Sequence, residues 1–191
     1  SRQESLCDRL HGGRQPARGY AWHMPQTLRP ADLTPARTHL EEIDALRLSI
    51  GWGPGSWFLG PLMESGGCIL GIRDGGGTLI AMGGAAVFPP AGFICNMVVH
   101  PDHKRRGLGR RVFEALLQRL EAAGYHQVQL EATEEGRPLY EQYGFRVRWE
   151  SVGSILARPP EPPTARGLDA LGPDDCEAVA ALDQRATGME R

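Results

Sequence analysis

Thirteen residues, Met97-Val98-Val99-His100-Pro101-Asp102-His103-Lys104-Arg105-Arg106-Gly107-Leu108-Gly109, constrain this chain more than any other stretch. An apolar strand runs out at Pro101, and a basic turn bearing two glycines follows. The turn feeds Arg110-Arg111-Val112-Phe113-Glu114-Ala115-Leu116-Leu117, which reads as the opening of an amphipathic helix. A strand leading through such a turn into a helix start makes an anion site. The first helical N–H groups have no intrahelical partner, and the helix dipole concentrates positive charge there. Gly107 and Gly109 clear side chains from a path along which a ligand would approach the backbone. The expected guest is a phosphate or pyrophosphate. The helix does not open with Gly-Lys-Ser/Thr, which rules out the nucleotide-triphosphate loop. Val112 stands where the dinucleotide fingerprint has its third glycine, and no acidic strand end follows about 20 residues on.

A second stretch narrows the reading. Gln127 to Thr133 alternates polar and apolar residues as a half-buried strand does. Gly136-Arg137-Pro138-Leu139-Tyr140-Glu141-Gln142-Tyr143-Gly144-Phe145 follows it. Pro138 suits the first turn of a short helix, and Gly144 suits its left-handed C-terminal cap. Val99-x-Pro101 with Lys104-x-x-Gly107-x-Gly109 resembles the acyl-CoA loop of the GCN5-related N-acetyltransferases (GNAT superfamily). Leu139-Tyr140-x-x-x-Gly144-Phe145 resembles that family's second motif, at the expected distance from the first. The likeness covers about Thr27 to Leu156. Lys104 departs from the family's usual Arg or Gln, exchanging a planar fork for a point charge.

The resemblance implies the GNAT fold, an α/β (α+β) architecture. Its mixed, mostly antiparallel sheet has about seven strands, helices on both faces, and a splayed cleft between the fourth and fifth strands. It implies transfer of an acetyl group from acetyl-CoA to a primary amine by direct attack, with no metal. Carried over by position, Met97, Val98 and Val99 would bind the pantetheine arm. Lys104, Arg105, Arg106, Gly107, Leu108, Gly109 and Arg110 would hold the pyrophosphate, and Thr133 and Arg137 would complete the donor site. Thr133 stands where the family often has Asn. Tyr140 matches the tyrosine that protonates the leaving thiolate. Glu131 is the candidate base, with His100 and His103 behind it. Trp52, Trp57 and Phe58 lie in the region where the family binds its acceptor and are candidate walls. A catalytically silent acetyl-CoA-binding module of a tandem protein is the alternative.

Local patterns divide the rest of the chain. Residues 1–23 show no sustained periodicity and are expected to be a disordered leader or a cloning remnant. Thr27-Leu28-Arg29-Pro30 reads as a first strand, with Asp32 or Thr34 capping a helix whose apolar side is Leu40, Ile43, Leu46 and Leu48. Gly67–Arg73 and Thr78–Phe88 form a hairpin across Asp74-Gly75-Gly76-Gly77. Pro89–Gly92 turns into a strand from Phe93 to Val99. The central helix, about Gly107 to Ala123, carries Leu108, Val112, Leu116 and Leu120 on one stripe, widened by Phe113 and Leu117. Phe145–Trp149 and Val152–Ala157 read as a last hairpin. The acetyltransferase domain is thus expected over 24–158, with a proline-rich linker over 159–166. Residues 167–191 weakly echo the region around Leu28 to Leu33 and its helix, as would the start of a truncated second repeat. The wording Leu130-Glu131-Ala132-Thr133 to Tyr140 resembles the N-terminal domains of tandem members of the family.

Composition narrows the partners. A net charge of −2 over 191 residues, with no aromatics interleaved in the basic run, argues against nucleic acid. No apolar run reaches the ~18 residues that a membrane span needs. Cys7, Cys68, Cys95 and Cys176 form no Cys-x-x-Cys pair, and a cytoplasmic location is expected. The expected partners are a small-molecule or peptide amine acceptor, with no nucleic acid and no membrane; a homodimer fits the family.

Overall fold

The computed structural model describes residues 4–9, 29–34, 37–151 and 170–188. The elements run β1 (Glu4–Arg9), β2 (Ala31–Leu33), α1 (Arg37–Leu48), α2 (Ser56–Glu64), β3 (Cys68–Arg73), β4 (Leu79–Phe88), β5 (Ala91–Val99), α3 (Leu108–Ala122), β6 (Gln127–Ala132), α4 (Arg137–Glu141), β7 (Arg146–Trp149) and α5 (Cys176–Thr187). They build one seven-stranded sheet of order β2-β3-β4-β5-β6-β1-β7. Every pairing is antiparallel except β5 with β6.

The turns follow from local chemistry. The β3–β4 hairpin closes because Asp74 Oδ1 accepts from the Gly76 and Thr78 amides, both at 2.9 Å. This is the turn role of a short carboxylate that can bond its own backbone. The sheet carries an apolar layer on each face. Helix α3 lays Leu108, Val112, Phe113, Leu116, Leu117 and Leu120 against it, all buried. The six-residue stripe matches the sequence pattern, and truncating one of its leucines would cost about 2–5 kcal/mol. On the other face α1 and α2 bury Ile43, Leu46 and Leu59 against Ile69, Met82 and Val98.

Three expectations change. Residues Glu4–Arg9 lie in the sheet, antiparallel to both β6 and β7, rather than in a leader outside the fold. A strand completing a sheet is recruited chiefly through main-chain bonds, so a short segment without a long apolar pattern serves. Of the first expected strand, Thr27 and Leu28 lie outside the described residues, while Arg29 and Pro30 are not in a strand and β2 starts at Ala31, since Pro30 has no N–H to give a ladder. In α1, Leu48 is exposed and Arg47 is buried in its place. Leu48 lies about 200° around the helix from Leu46, off the buried stripe. The expected strand Val152–Ala157 and the linker 159–166 fall outside the described residues. Helix α5 buries none of its residues, and Leu171, Val179 and Leu182 are exposed.

Candidate active site

The sheet opens where β5 and β6 part. Their parallel ladder runs from Ala91↔Gln127 to Ile94↔Leu130, yet β5 continues to Val99 and β6 to Ala132. The cause is a bulge. Met82 pairs with Val98 while Gly84 pairs with Cys95, so Asn96 and Met97 face the single residue Gly83. Asn96 takes φ +52°, a left-handed conformation that Asn tolerates better than most residues. The bulge bends β5 away and leaves the Met97–Val99 edge turned toward a gap. Gly83 accommodates it, because a Cβ there would lie 2.4 Å from Met97 Sδ and 2.9 Å from Leu116.

At the end of β5 a 3₁₀ turn, Pro101–His103, leads into the basic loop. Arg105 at φ +60° and Gly107 at φ +74° reverse the backbone into α3. The first in-helix bond is Arg111 N to Gly107 O at 3.2 Å, which leaves the amides of Leu108, Gly109 and Arg110 without an intrahelical acceptor. No side chain caps this helix start. These uncapped amides fall in the loop where the sequence leads one to expect an anion.

A cavity of about 820 Å³ joins the strand gap to the helix start. It is lined by Met97, Val98, Val99, Lys104, Arg105, Gly107, Leu108, Gly109 and Arg110, and across the gap by Glu131, Thr133 and Tyr140. Trp52 also lines it. Tyr140 is 5% exposed and rests on Phe113, ring centroids 5.1 Å apart, so its ring has little freedom. Thr133 Oγ1 accepts from the Gly136 amide at 3.2 Å and helps to start α4. Lys104 Nζ pairs with both Glu135 oxygens at 2.9 Å. Arg110 bonds Gln142 Oε1 and lies over the Tyr143 ring. Tyr143 in turn donates to Glu114; burial, then this bond, pushes its phenol up to about 12.

Four of the expected donor- and acceptor-binding residues do not line the cavity. Arg106 turns to His103, with Nη1 and Nδ1 2.9 Å apart, and Arg137 pairs with Glu141 at 2.7 Å. Trp57 is 77% exposed, and Phe58 packs against the buried cluster that includes Ile43, Leu46 and Leu59. His100 and His103 also stand outside it; the His100 ring accepts from the Asp102 amide at 3.3 Å. Ile50, Cys95, Asn96 and Gln142 join the lining without a sequence signal of their own.

Behind the cavity sits a polar cluster that periodicity hid. Arg47 is 9% exposed; its Nε donates to Gly53 O at 2.9 Å and its Nη1 to Asn96 Oδ1. Its guanidinium lies 5.2 Å from the Trp52 ring centroid and 5.3 Å from that of Phe58. Burial lowers its pKa, against the opposing pull of Asp44, but an arginine keeps its charge. Asp44 accepts from the Gly55 amide at 2.6 Å, the Ser56 amide at 2.9 Å and the Ser56 hydroxyl at 2.7 Å. Burial raises its carboxyl, yet these bonds and Arg47 outweigh it and leave the group below the usual carboxylate value. Burial pushes the Cys95 thiol up, which suits a packed side chain rather than a nucleophile. Among the described residues no cluster of His, Cys, Asp and Glu could hold a metal, and no helix is long and apolar enough to cross a membrane.

Comparison with known proteins agrees with this architecture. The acetyltransferase (GNAT) family profile matches residues 31–145, more than half of the chain, and the chain belongs to that family. Its members are acetyltransferases that use acetyl-CoA. A GNAT-family putative acetyltransferase from Novosphingobium aromaticivorans is similar, at 24% identity and a TM-score of 0.56 over 78% of this chain. The match spans 62% of that protein's length. The ribosomal-protein-S18-alanine N-acetyltransferase of Escherichia coli is 21% identical, TM-score 0.54, over 61% of this chain and 77% of its own. Glucosamine-6-phosphate N-acetyltransferase from Arabidopsis thaliana is 19% identical, TM-score 0.56, over 66% of this chain and 97% of its own. At these identities the likeness is one of fold. No curated protein sequence matches the chain.

Proposed function

We propose that this chain is an N-acetyltransferase that carries an acetyl group from acetyl-CoA to a primary amine, with Tyr140 as the acid. One observation carries the reading: an open internal strand edge, a helix start with uncommitted amides and a buried tyrosine share one cavity. The loop fits a diphosphate. Its backbone turns through two positive φ values into the helix N-terminus, and Lys104, Arg105 and Arg110 surround it. The Met97–Val99 edge fits an extended amide-bearing arm, since free strand N–H and C=O groups recruit such partners. Acetyl-CoA presents both features and supplies the activated acyl group.

The chain's own residues then have distinct tasks. A main-chain N–H on the bulged strand polarises the acyl oxygen where negative charge develops. The amine nitrogen forms a bond to the acyl carbon as the carbon–sulfur bond breaks. Tyr140 gives its phenolic proton to the departing sulfur. Glu131, exposed on the opposite wall, receives the proton that the amine loses, through water. Trp52 forms an apolar wall for the acceptor beside Ile50.

The test is thiol release from acetyl-CoA across a panel of amines, amino acids and peptides. Turnover is expected with at least one acceptor. Tyr140→Phe should lower kcat by roughly 10²–10⁴-fold and keep coenzyme A affinity within a few-fold. Calorimetry that detects no binding of coenzyme A would overturn the assignment. Binding with no turnover on any amine would make the domain a silent binding module.

A further inference from the structure

The last turn of helix α1 carries Arg47, whose two halves hold two different parts of the cavity wall. Its carbonyl accepts from the amides of Ile50 at 3.2 Å and Trp52 at 3.1 Å, both of which line the cavity. Its guanidinium reaches Gly53 O on the same loop and Asn96 Oδ1 on the β5 bulge. The partner on β5 is 49 positions away in sequence. The loop is shaped around this side chain, because a Cβ on Gly55 would fall 2.5 Å from Arg47 Nε. Asp44, one helical turn earlier, fixes the far end of the loop by accepting from Gly55 and Ser56. The rings of Trp52 and Phe58 flank the guanidinium and shield it from water.

Such a group is costly to bury, and a buried charge persists where several partners satisfy it. Here the partners are those whose relative placement the cleft requires. Asn96 must stay near φ +52° for β5 to part from β6. Its own backbone gains nothing from that conformation, whereas its side-chain oxygen, held by Arg47, fixes it.

We propose that Arg47 is a positioning residue for the transfer, holding the Asn96 kink, and with it the Met97–Val99 edge, in register with the Ile50–Trp52 wall. Arg47 does not line the cavity, so it acts through Asn96 and the loop. The catalytic meaning of that register rests on the reading of the cleft as an acyl-donor site.

The experiment compares Arg47→Met, Arg47→Lys, Asn96→Gly and the double variant Arg47→Met/Asn96→Gly. Glycine adopts a positive φ without a side-chain hold, so it should stand in for the arginine at the bulge. The first readout is amide hydrogen exchange at Val98 and His100, which face β4, with Leu116 in α3 as an internal reference. Arg47→Met should speed exchange at Val98 and His100 at least tenfold while leaving Leu116 unchanged, and the double variant should recover most of that loss. Arg47→Lys, which keeps the charge but not the fork, should fall between. The second readout is steady-state kinetics. Arg47→Met should raise KM for acetyl-CoA at least fivefold, and the double variant should bring it back while the acceptor KM stays raised, because the loop remains unheld. Exchange at Val98 and His100 that does not respond to Arg47→Met, or a double variant no better than the single, overturns the proposal. If Arg47→Met does not fold, the same comparison is made with Arg47→Lys and its Asn96→Gly double. A wild-type chain that binds no coenzyme A defeats the proposed function, while the exchange readout still decides the role of Arg47.

Discussion

Gly107 and Asn96 both take left-handed backbone at the rim of one cavity, φ +74° and +52°, and they are held there by different means. Gly107 needs no help, since it has no Cβ to clash and nothing within 4 Å of where one would sit. Asn96 is propped from α1 by an arginine 49 residues earlier. The first solution is local and independent of the rest of the fold. The second couples the open β5 edge to the loop that carries Trp52. The difference predicts that damage to the helix start stays confined to donor binding, whereas damage around the bulge spreads to both substrates.

The strongest way to break this contrast is Gly83→Ala. A methyl group there meets Met97, Leu116 and Val112 together, all closer than 3.0 Å. Overpacking should cost about 1–3 kcal/mol in urea unfolding and should displace the bulge, weakening donor and acceptor use together. A stable Gly83→Ala enzyme with unchanged KM values would show that the bulge yields without consequence. Gly107→Ala comes next. Forcing an ordinary residue to φ +74° costs about 1–2 kcal/mol, and calorimetry should record up to a tenfold loss of coenzyme A affinity with the acceptor KM unchanged. Gly107→Asn should be milder, as Asn accepts this region more readily.

The smallest effect concerns acid. Against the opposing effect of burial, the hydrogen bonds from Ser56 and Gly55 hold the Asp44 carboxyl below its unfolded value, so the stability it contributes is present at neutral pH and lost as pH falls through its folded pKa. The Tm difference between wild type and Asp44→Asn should therefore be visible at pH 7 and shrink toward pH 3. A difference that grows on acidification would mean that Asp44 is strained, and the loop anchor would have to be sought elsewhere.

What the sequence disclosed was the part of the fold specified by neighbours along the chain. The α3 stripe recurs every three or four residues, the Asp74–Gly77 turn bonds to itself, and Gly144 caps α4 with φ +84° and an amide bond to Glu141 O at 3.0 Å. The loop motif was legible for the same reason. Arg47 was not, since a charged residue beside Leu46 reads as solvent-facing until the three-dimensional partners Gly53 and Asn96 are known. Asp32 shows the same limit: its carboxylate bonds Arg119 rather than capping α1. Strand β1 carries too few residues for periodicity to speak, and its place between β6 and β7 is a matter of main-chain pairing. Arg137 and Trp57 were expected at the site on position alone. Arg137 turns to Glu141, and Trp57 to the Pro54 carbonyl at 3.2 Å.

The separation of β5 from β6 has a consequence for how this protein avoids sticking to itself. A strand rim with unpaired amides normally invites a foreign chain, yet here the open stretch, Cys95 to Val99, is five residues long and lies within the sheet rather than at its border. It is long enough to grasp a slender guest and too short to nucleate a growing fibril.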